Sequence, residues 1–107
     1  MGEIIVYSDE FHESIENLIR ILYVKEYFGF EIDCQLYAEK IYDFVDYNIH
    51  KPIGRNTPEA LQKFGKIFIK YKANHRTSWF IFYDQKDNQF LINHIINNHS
   101  QEFPELM

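Results

Sequence analysis

Three β-rich runs follow one another in the second half of the chain, and their short connections limit the fold more than any other feature. The runs cover residues 66–72, 76–83 and 89–96. They are joined by residues 73–75 and by a polar turn at 84–88, and both connections are too short for a crossover between parallel strands. The three runs therefore predict an antiparallel meander.

Two apolar stripes at helical spacing precede the meander and predict two amphipathic helices. The first helix follows a β-rich run at residues 4–7 and begins after Ser8, which is a good N-cap, while Gly29 is a natural stop. Its stripe consists of Phe11, Ile15, Leu18, Ile19 and Leu22. The second stripe consists of Cys34, Tyr37, Ala38, Ile41, Phe44 and Val45. Because few residues separate the stripes, we expect an antiparallel helical hairpin.

The resulting order, β-α-α-β-β-β, predicts an α+β fold in which a small antiparallel sheet is packed by the helical hairpin. A chain of 107 residues fits one domain, so we assign residues 1–107 to a single unit. Thr57, Pro58 and Glu59 predict one short turn of helix within the main loop. The tail after His99 is expected either to be poorly ordered or to dock on the domain.

Several classes of protein find no support in the sequence. Cys34 is the only cysteine, so an intramolecular disulfide and a cysteine-based zinc site are excluded. The chain contains neither a glycine-rich nucleotide loop nor a zincin motif, and we predict no cofactor and no metal. It has no run of 18 apolar residues and no signal-peptide pattern, so we expect a cytoplasmic protein that does not enter a membrane.

The charge is distributed unevenly along the chain. Residues 1–50 carry three Lys or Arg against eleven Asp or Glu, a net charge of −8, whereas residues 51–107 carry eight against five, a net charge of +3. Within residues 51–76, seven basic side chains accompany Glu59 as the only acid. Two interpretations remain open: an ordinary solvated surface, or a patch that binds phosphates or an acidic partner.

The pairing of the first two meander strands predicts where these basic side chains lie. If residues 73–75 form a three-residue hairpin loop, Lys72 lies opposite Arg76 and Lys70 lies opposite Ser78. One face then carries Lys66, Lys70, Lys72, Arg76 and Ser78 and is able to hold a phosphate backbone. The opposite face carries Ile67, Ile69, Tyr71, Trp79 and Ile81 and supplies much of the core.

Residues 57–99 contain PEALQKFG, a lysine-bearing strand, RTSWFIFYDQKDNQFLI and NNH, and this stretch resembles the RelE/ParE family of bacterial toxins. The resemblance covers 43 of the 107 residues. The family's fold, a small antiparallel sheet packed by a helical hairpin, agrees with the order predicted for the whole chain.

The resemblance implies the toxin of a type II toxin-antitoxin system, which a cognate antitoxin protein wraps and silences. RelE-like members cut mRNA in the ribosomal A site, whereas ParE-like members inhibit DNA gyrase without being nucleases. The expected partners are therefore an antitoxin and either the ribosome with its mRNA or DNA gyrase.

For the RelE-like branch the resemblance implies Lys70, Lys72, Arg76 and His99 as catalytic residues. Its lysines on the second strand and arginines on the third and fourth strands stabilise the cleavage transition state, helped by a Tyr or His near the C-terminus. Arg76 matches the first arginine position, and Lys70 and Lys72 match the lysine strand. The chain departs from this pattern at residues 97–99, Asn-Asn-His, where an arginine is expected. His99 there either exchanges a proton with substrate or caps the strand.

A second hypothesis stays open beside the nuclease. An acidic protein is repelled by ribosomal RNA, which opposes tight binding to the ribosome. The alternative is a non-enzymatic binding module, either a ParE-like gyrase inhibitor or an inactive toxin-like domain that binds only protein.

Overall fold

The computed structural model describes residues 4–24 and 34–106, which contain two helices, five strands and two 3₁₀ turns. The helices are α1 (Asp9–Val24) and α2 (Cys34–Asn48). The strands are β1 (Ile4–Tyr7), β2 (Arg55–Asn56), β3 (Ile67–Lys72), β4 (Ser78–Lys86) and β5 (Gln89–Asn97). A linker turn (Glu59–Phe64) precedes β3, and a C-terminal turn (Phe103–Leu106) follows β5. The predicted helix stop at Gly29 lies outside the described residues, as do the side chains of Leu22 and Cys34.

The strands form one sheet in the order β1-β5-β4-β3-β2. The α+β class and the antiparallel meander are confirmed, because β3, β4 and β5 pair antiparallel in sequence. The expectation of a purely antiparallel sheet is wrong, since β1 pairs parallel to β5, and the two-residue strand β2 was not foreseen. Parallel pairing needs a long crossover connection, and the intervening two helices, linker and meander provide it.

The two helices cover one face of the sheet with the apolar stripes predicted from the sequence. The core they form with the sheet is fully or nearly fully buried and contains Phe11, Ile15, Ile19, Ile41, Val45, Ile69, Trp79, Ile81, Ile92 and Ile95. His12 near the start of α1 contacts Tyr42 in the second half of α2. At the other end of the helix pair, Tyr23 near the end of α1 and Gln35 at the start of α2 line one cleft between the helices. The helices therefore run antiparallel, as expected of a hairpin.

A second, smaller core covers part of the opposite face. Phe80, Phe82 and Ile96 of the sheet pack there against Leu61 of the linker turn, with Phe103 and Leu106 of the C-terminal turn beside them. The tail thus docks on the domain, which was one of the two expected outcomes. Gly65 makes the close approach of the linker turn possible: its φ is 153°, and an added Cβ would lie 2.7 Å from the Tyr83 nitrogen.

The register of β3 against β4 differs from the predicted one. Lys72 lies opposite Ser78 and Lys70 opposite Phe80, so the connecting loop contains five residues, 73–77, rather than three. The Asn74 side-chain oxygen accepts hydrogen bonds from the Arg76 and Thr77 amides and closes this larger loop. Because the shift is an even number of residues, the predicted division of the β3 and β4 side chains between the two faces is nevertheless confirmed.

The described helices have no segment with the length and apolar character needed to cross a bilayer.

Replacing Ile41 by Ala should lower the free energy of unfolding by roughly 2 to 5 kcal/mol, because the side chain is fully buried between the helices and the sheet. Urea unfolding followed by circular dichroism measures the change. Ile21→Ala, at a position that is 45% exposed on α1, is the matched control and should cost far less. An equal effect of both substitutions, or two separate transitions in the wild-type chain, would contradict the single shared core.

Candidate functional site

A groove of about 380 Å³ lies on the sheet face away from the helices and combines cations with aromatic rings. Two basic and five apolar residues line it: Arg55, Lys70, Ile53, Phe68, Phe80, Phe103 and Leu106. The site is therefore a positively charged opening over an apolar floor.

Strand pairing places the two cations. Arg55 on β2 lies opposite Phe68 on β3, and Lys70 on β3 lies opposite Phe80 on β4. Because paired residues on neighbouring strands point to the same face, both cations stand on the face that carries the Phe rings. Arg55 and Lys70 are diagonal neighbours across β2 and β3, a relation that places two residues roughly 7 to 8 Å apart. Two positive charges thus act on the same small opening.

Three phenylalanines make the apolar floor and one side of the groove. The ring centroids of Phe68 and Phe80 are 6.2 Å apart, and those of Phe80 and Phe103 are 5.5 Å apart. Phe103 comes from the C-terminal turn, so the tail builds part of the groove. A flat ring or an apolar side chain of a ligand can rest on this surface while an anionic group meets the cations.

Of the four predicted catalytic residues, the structure places only Lys70 in the lining of the groove. Lys72 lies on the same face, two residues further along β3, and its side chain is exposed opposite Ser78. It therefore extends the positive charge of the groove towards one end of the sheet.

The prediction for Arg76 needs a correction. It was expected at the start of a strand, facing Lys72 across the hairpin, but it lies exposed in the five-residue loop between β3 and β4. The cause is the Asn74 side chain, which binds the Arg76 amide at 2.8 Å and draws residues 74–77 into the loop. Arg76 is therefore held by its backbone, at the same end of the sheet as Lys72.

His99 lies in the turn that follows β5 and also reaches this end of the sheet. Its Nε2 atom lies 3.4 Å from the hydroxyl of Thr77, the residue next to Arg76. The His99 amide donates to the Asn97 side-chain oxygen at 2.8 Å, which fixes the turn. The imidazole thus contacts the β3–β4 loop rather than the groove lining.

The side chain of Asn98 ties the two loops together. Its oxygen accepts the Ser78 amide hydrogen at 2.9 Å, and its nitrogen donates to the Arg76 carbonyl at 2.9 Å. The loop that carries Arg76 and the turn that carries His99 are therefore fixed beside each other. Lys72, Arg76 and His99 lie at one end of the sheet, with Lys70 two residues further in along β3.

Sequence reasoning missed Arg55, Phe103 and Leu106 as parts of the site. Arg55 lies between glycine and asparagine in the main loop, and a two-residue strand leaves no periodic signal to detect. Phe103 and Leu106 are spaced like neighbours on one turn of a helix, and this apolar pair was the only available sign that the tail docks.

The residues that the structure describes include no group of three or more His, Cys, Asp or Glu side chains that could hold a metal ion. The chemistry that this face of the sheet can offer comes from exposed cations, the His99 imidazole and the partly exposed rings of Phe68 and Phe103. Such a set can bind a polyanion and stabilise negative charge.

His94 is the titratable residue most affected by burial on this face. Its ring stacks on Phe64 of the linker turn with centroids 3.9 Å apart, and its Nδ1 atom lies 3.5 Å from a carboxylate oxygen of Glu10. That distance is too long for a good hydrogen bond. Burial lowers the pKa of His94 below 6.5, and Lys63 adds to the effect, while Glu10 and Glu102 act in the opposite direction.

Comparison of the chain with protein-family models, with curated protein sequences and with solved structures finds no match.

Replacing Lys70 or Arg55 by Ala should weaken binding of a single-stranded oligonucleotide, because each change removes a cation from the groove. The slope of log affinity against log salt concentration should become shallower by roughly 0.7 for each phosphate that the groove no longer neutralises. Lys86→Ala is the matched control, since Lys86 is an exposed lysine at the far end of the β4 hairpin from Lys72. Equal effects of all three substitutions would show that binding does not use the groove.

The stability of the protein should decrease as the pH falls from about 7.5 to about 5.5, and His94 should account for part of the decrease. The pKa of His94 is lowered on folding, so the unfolded chain binds the proton more readily, and stability present at high pH declines below about 6.5. His94→Phe keeps the ring on Phe64 but cannot titrate. Urea unfolding across the pH range should give a shallower dependence for this variant, and identical curves would contradict the assignment.

Proposed function

We propose that the chain is the toxin of a type II toxin-antitoxin pair and that its basic groove binds messenger RNA, which it cleaves on the ribosome. The observation that carries the proposal is the pair of cations, Lys70 and Arg55, above a floor of Phe rings. The resemblance of residues 57–99 to RelE/ParE toxins adds to it.

Single-stranded RNA suits a groove of this composition. Cationic side chains neutralise its phosphates, and aromatic side chains stack with its bases, which are free to leave a single strand. Phe68 and Phe103, which are partly exposed, provide the rings, while Lys70 and Arg55 provide the charge. The opening is small, so it accommodates one or two nucleotides rather than the width of a duplex.

Cleavage would use the RNA's own 2′ hydroxyl as nucleophile. Its oxygen forms a bond to the adjacent phosphorus as the bond to the 5′ oxygen breaks, which leaves a cyclic phosphate and a free 5′ hydroxyl. His99 is proposed to accept the proton of the 2′ hydroxyl, and a water molecule or a lysine ammonium returns one to the leaving oxygen. Lys70, Lys72 and Arg76 are proposed to stabilise the charge that develops on the phosphate.

The same groove offers a docking place for the antitoxin. An acidic and partly apolar segment would place carboxylates on Lys70 and Arg55 and apolar side chains on Ile53 and Phe103. Antitoxin and RNA would then compete for one surface. We place the complex in the cytoplasm, where the ribosome is.

A specific observation favours the alternative, a non-enzymatic binding module. Lys70 lines the groove, but Arg76 and His99 lie in loops outside it. A protein that only binds, such as a ParE-like gyrase inhibitor or an inactive toxin-like domain, needs the groove without those residues.

Arg76→Ala should abolish growth arrest on induced expression and reduce ribosome-dependent mRNA cleavage by about a hundredfold or more, because it removes a cation that stabilises the transition state. Lys70→Ala should act similarly, and His99→Ala should slow cleavage more modestly. Arg76 and Lys70 are exposed, so their variants should unfold near the wild-type temperature. Lys86→Ala controls for the removal of one positive charge.

The cleavage assay decides between the hypotheses. Wild-type protein that arrests growth without cutting mRNA on ribosomes would support the binding module, and a gyrase supercoiling assay would then identify its ParE-like form. Protein that neither arrests growth nor binds RNA would refute the toxin proposal.

A further inference from the structure

Strand β1 forms one edge of the sheet, and among the described residues it pairs with β5 alone. The Ile4 amide donates to the Asn88 carbonyl at 2.8 Å, and the Ser8 amide donates to the Ile92 carbonyl at 2.9 Å. Backbone groups alternate in direction along a strand, so the N–H and C=O groups of Ile5 and Tyr7 point away from β5. These four groups form a ready pairing edge for a further strand.

The side chains of β1 give this edge two different faces. Ile4 and Val6 are 53% and 43% exposed and lie on the face away from the helices, whereas Ile5 and Tyr7 pack against the core under them. Edge strands are usually protected by lysine, proline or a bulge, and residues 4–7, which pair regularly with β5, contain none of these. The exposed face of β1 is therefore an unprotected apolar strip.

The opposite face of β1 is acidic. The Tyr7 hydroxyl donates to an Asp46 carboxylate oxygen at 2.7 Å. Burial raises the pKa of Tyr7 far above its usual value, and Asp46 raises it further. Asp43 lies one turn before Asp46, on the same side of α2. Asp9 begins α1 two residues after the end of β1, and residues 1–19 contain no Lys or Arg.

We propose that the β1 edge binds an extended peptide segment in which apolar and basic side chains alternate, and that this segment becomes a sixth strand of the sheet. The pattern follows from the two faces: apolar side chains would pack on Ile4 and Val6, while basic side chains would meet Asp46 and Asp43. A second copy of the chain fits poorly, because two β1 edges would bring the same acids together. The proposal is independent of the basic groove and of the toxin activity.

The test uses a synthetic peptide of about ten residues that alternates valine and lysine, with a valine–glutamate peptide as the control. The full chain, labelled with ¹⁵N, is titrated while amide hydrogen exchange is recorded. Exchange at Ile5 and Tyr7 should slow on addition of the lysine peptide, because their outward amides gain carbonyl partners. The amides of Ile4 and Ser8 already have partners and should change little.

Two variants that each add one lysine test whether the peptide binds at the β1 edge or elsewhere on the surface. Val6→Lys should weaken binding by about tenfold or more, because it places like charge and a polar group on the apolar strip. Ile21→Lys changes a residue of almost equal exposure, 45%, and leaves binding unchanged, since Ile21 lies about 18 Å along α1 from its start. Asp46→Asn should weaken binding less, by about two- to fivefold, as expected for a surface ion pair.

Three results would overturn the proposal. Equal binding of both peptides would show that the acidic side chains near β1 do not select the ligand. Slower amide exchange in β2 or around the groove would place the binding site elsewhere. Sedimentation of the free protein as a dimer that Val6→Lys dissociates would show that a second copy occupies the edge.

Discussion

The burial of β4 on both of its faces is the constraint on which the rest of the structure depends. Five consecutive residues, Trp79 to Tyr83, are buried, although alternate side chains of a strand point to opposite faces. Both faces of the sheet must therefore be covered, and the two helices can cover only one. On the other face the cover consists of the linker turn, the C-terminal turn and the loop that contains Ile53. These elements leave part of the surface beside β3 uncovered. The groove is the part of the second face that these short elements do not reach.

A network of polar groups connects the sheet to the start of α1 and to the linker that precedes β3. A bulge in β5 leaves Asn93 without a partner in β4, and its side chain donates to Asp84 at 3.0 Å. The other Asp84 oxygen accepts the Lys66 amide, and the Ser8 hydroxyl, which caps α1, donates to the Asn93 carbonyl. The bulge shifts the alternation by one residue, so Ile92 and Ile95 both face the helices while His94 faces the linker turn. Asn93 and Asp84 thus join β5 and β4 to the start of α1 and to the residue that precedes β3.

The sequence was sufficient to predict the elements whose side chains follow a regular period, and insufficient for elements without such a pattern. The apolar stripes of both helices, the meander and the division of β3 and β4 side chains between two faces follow from periodicity, and all are observed as far as the described side chains extend. The hairpin register depended on the Asn74 side chain, whose backbone contacts enlarge the loop by two residues. The parallel pairing of β1 depends on tertiary packing, which no local pattern encodes. The face on which Lys70 lies could be predicted because Lys70 belongs to a strand with alternating side chains. Arg55 lies in a strand of two residues and Phe103 in a single turn, and neither offers such a pattern.

The net charge of the chain is a poor guide to what the groove can bind. Exposed acids such as Glu13, Glu16, Glu39 and Asp43 lie on the helices, which cover one face of the sheet. Arg55 and Lys70 lie on the other face, about 10 Å or more away through a packed layer. At physiological salt the Debye length is about 8 Å, so the acids are largely screened from a ligand in the groove. Such a ligand meets Lys70 and Arg55 in the groove, with Glu105 of the C-terminal turn as the neighbouring acid, although the whole protein carries −5. The acidity of the chain therefore argues against broad contact with a nucleic-acid surface, but it does not oppose binding of a short anionic strand at the groove.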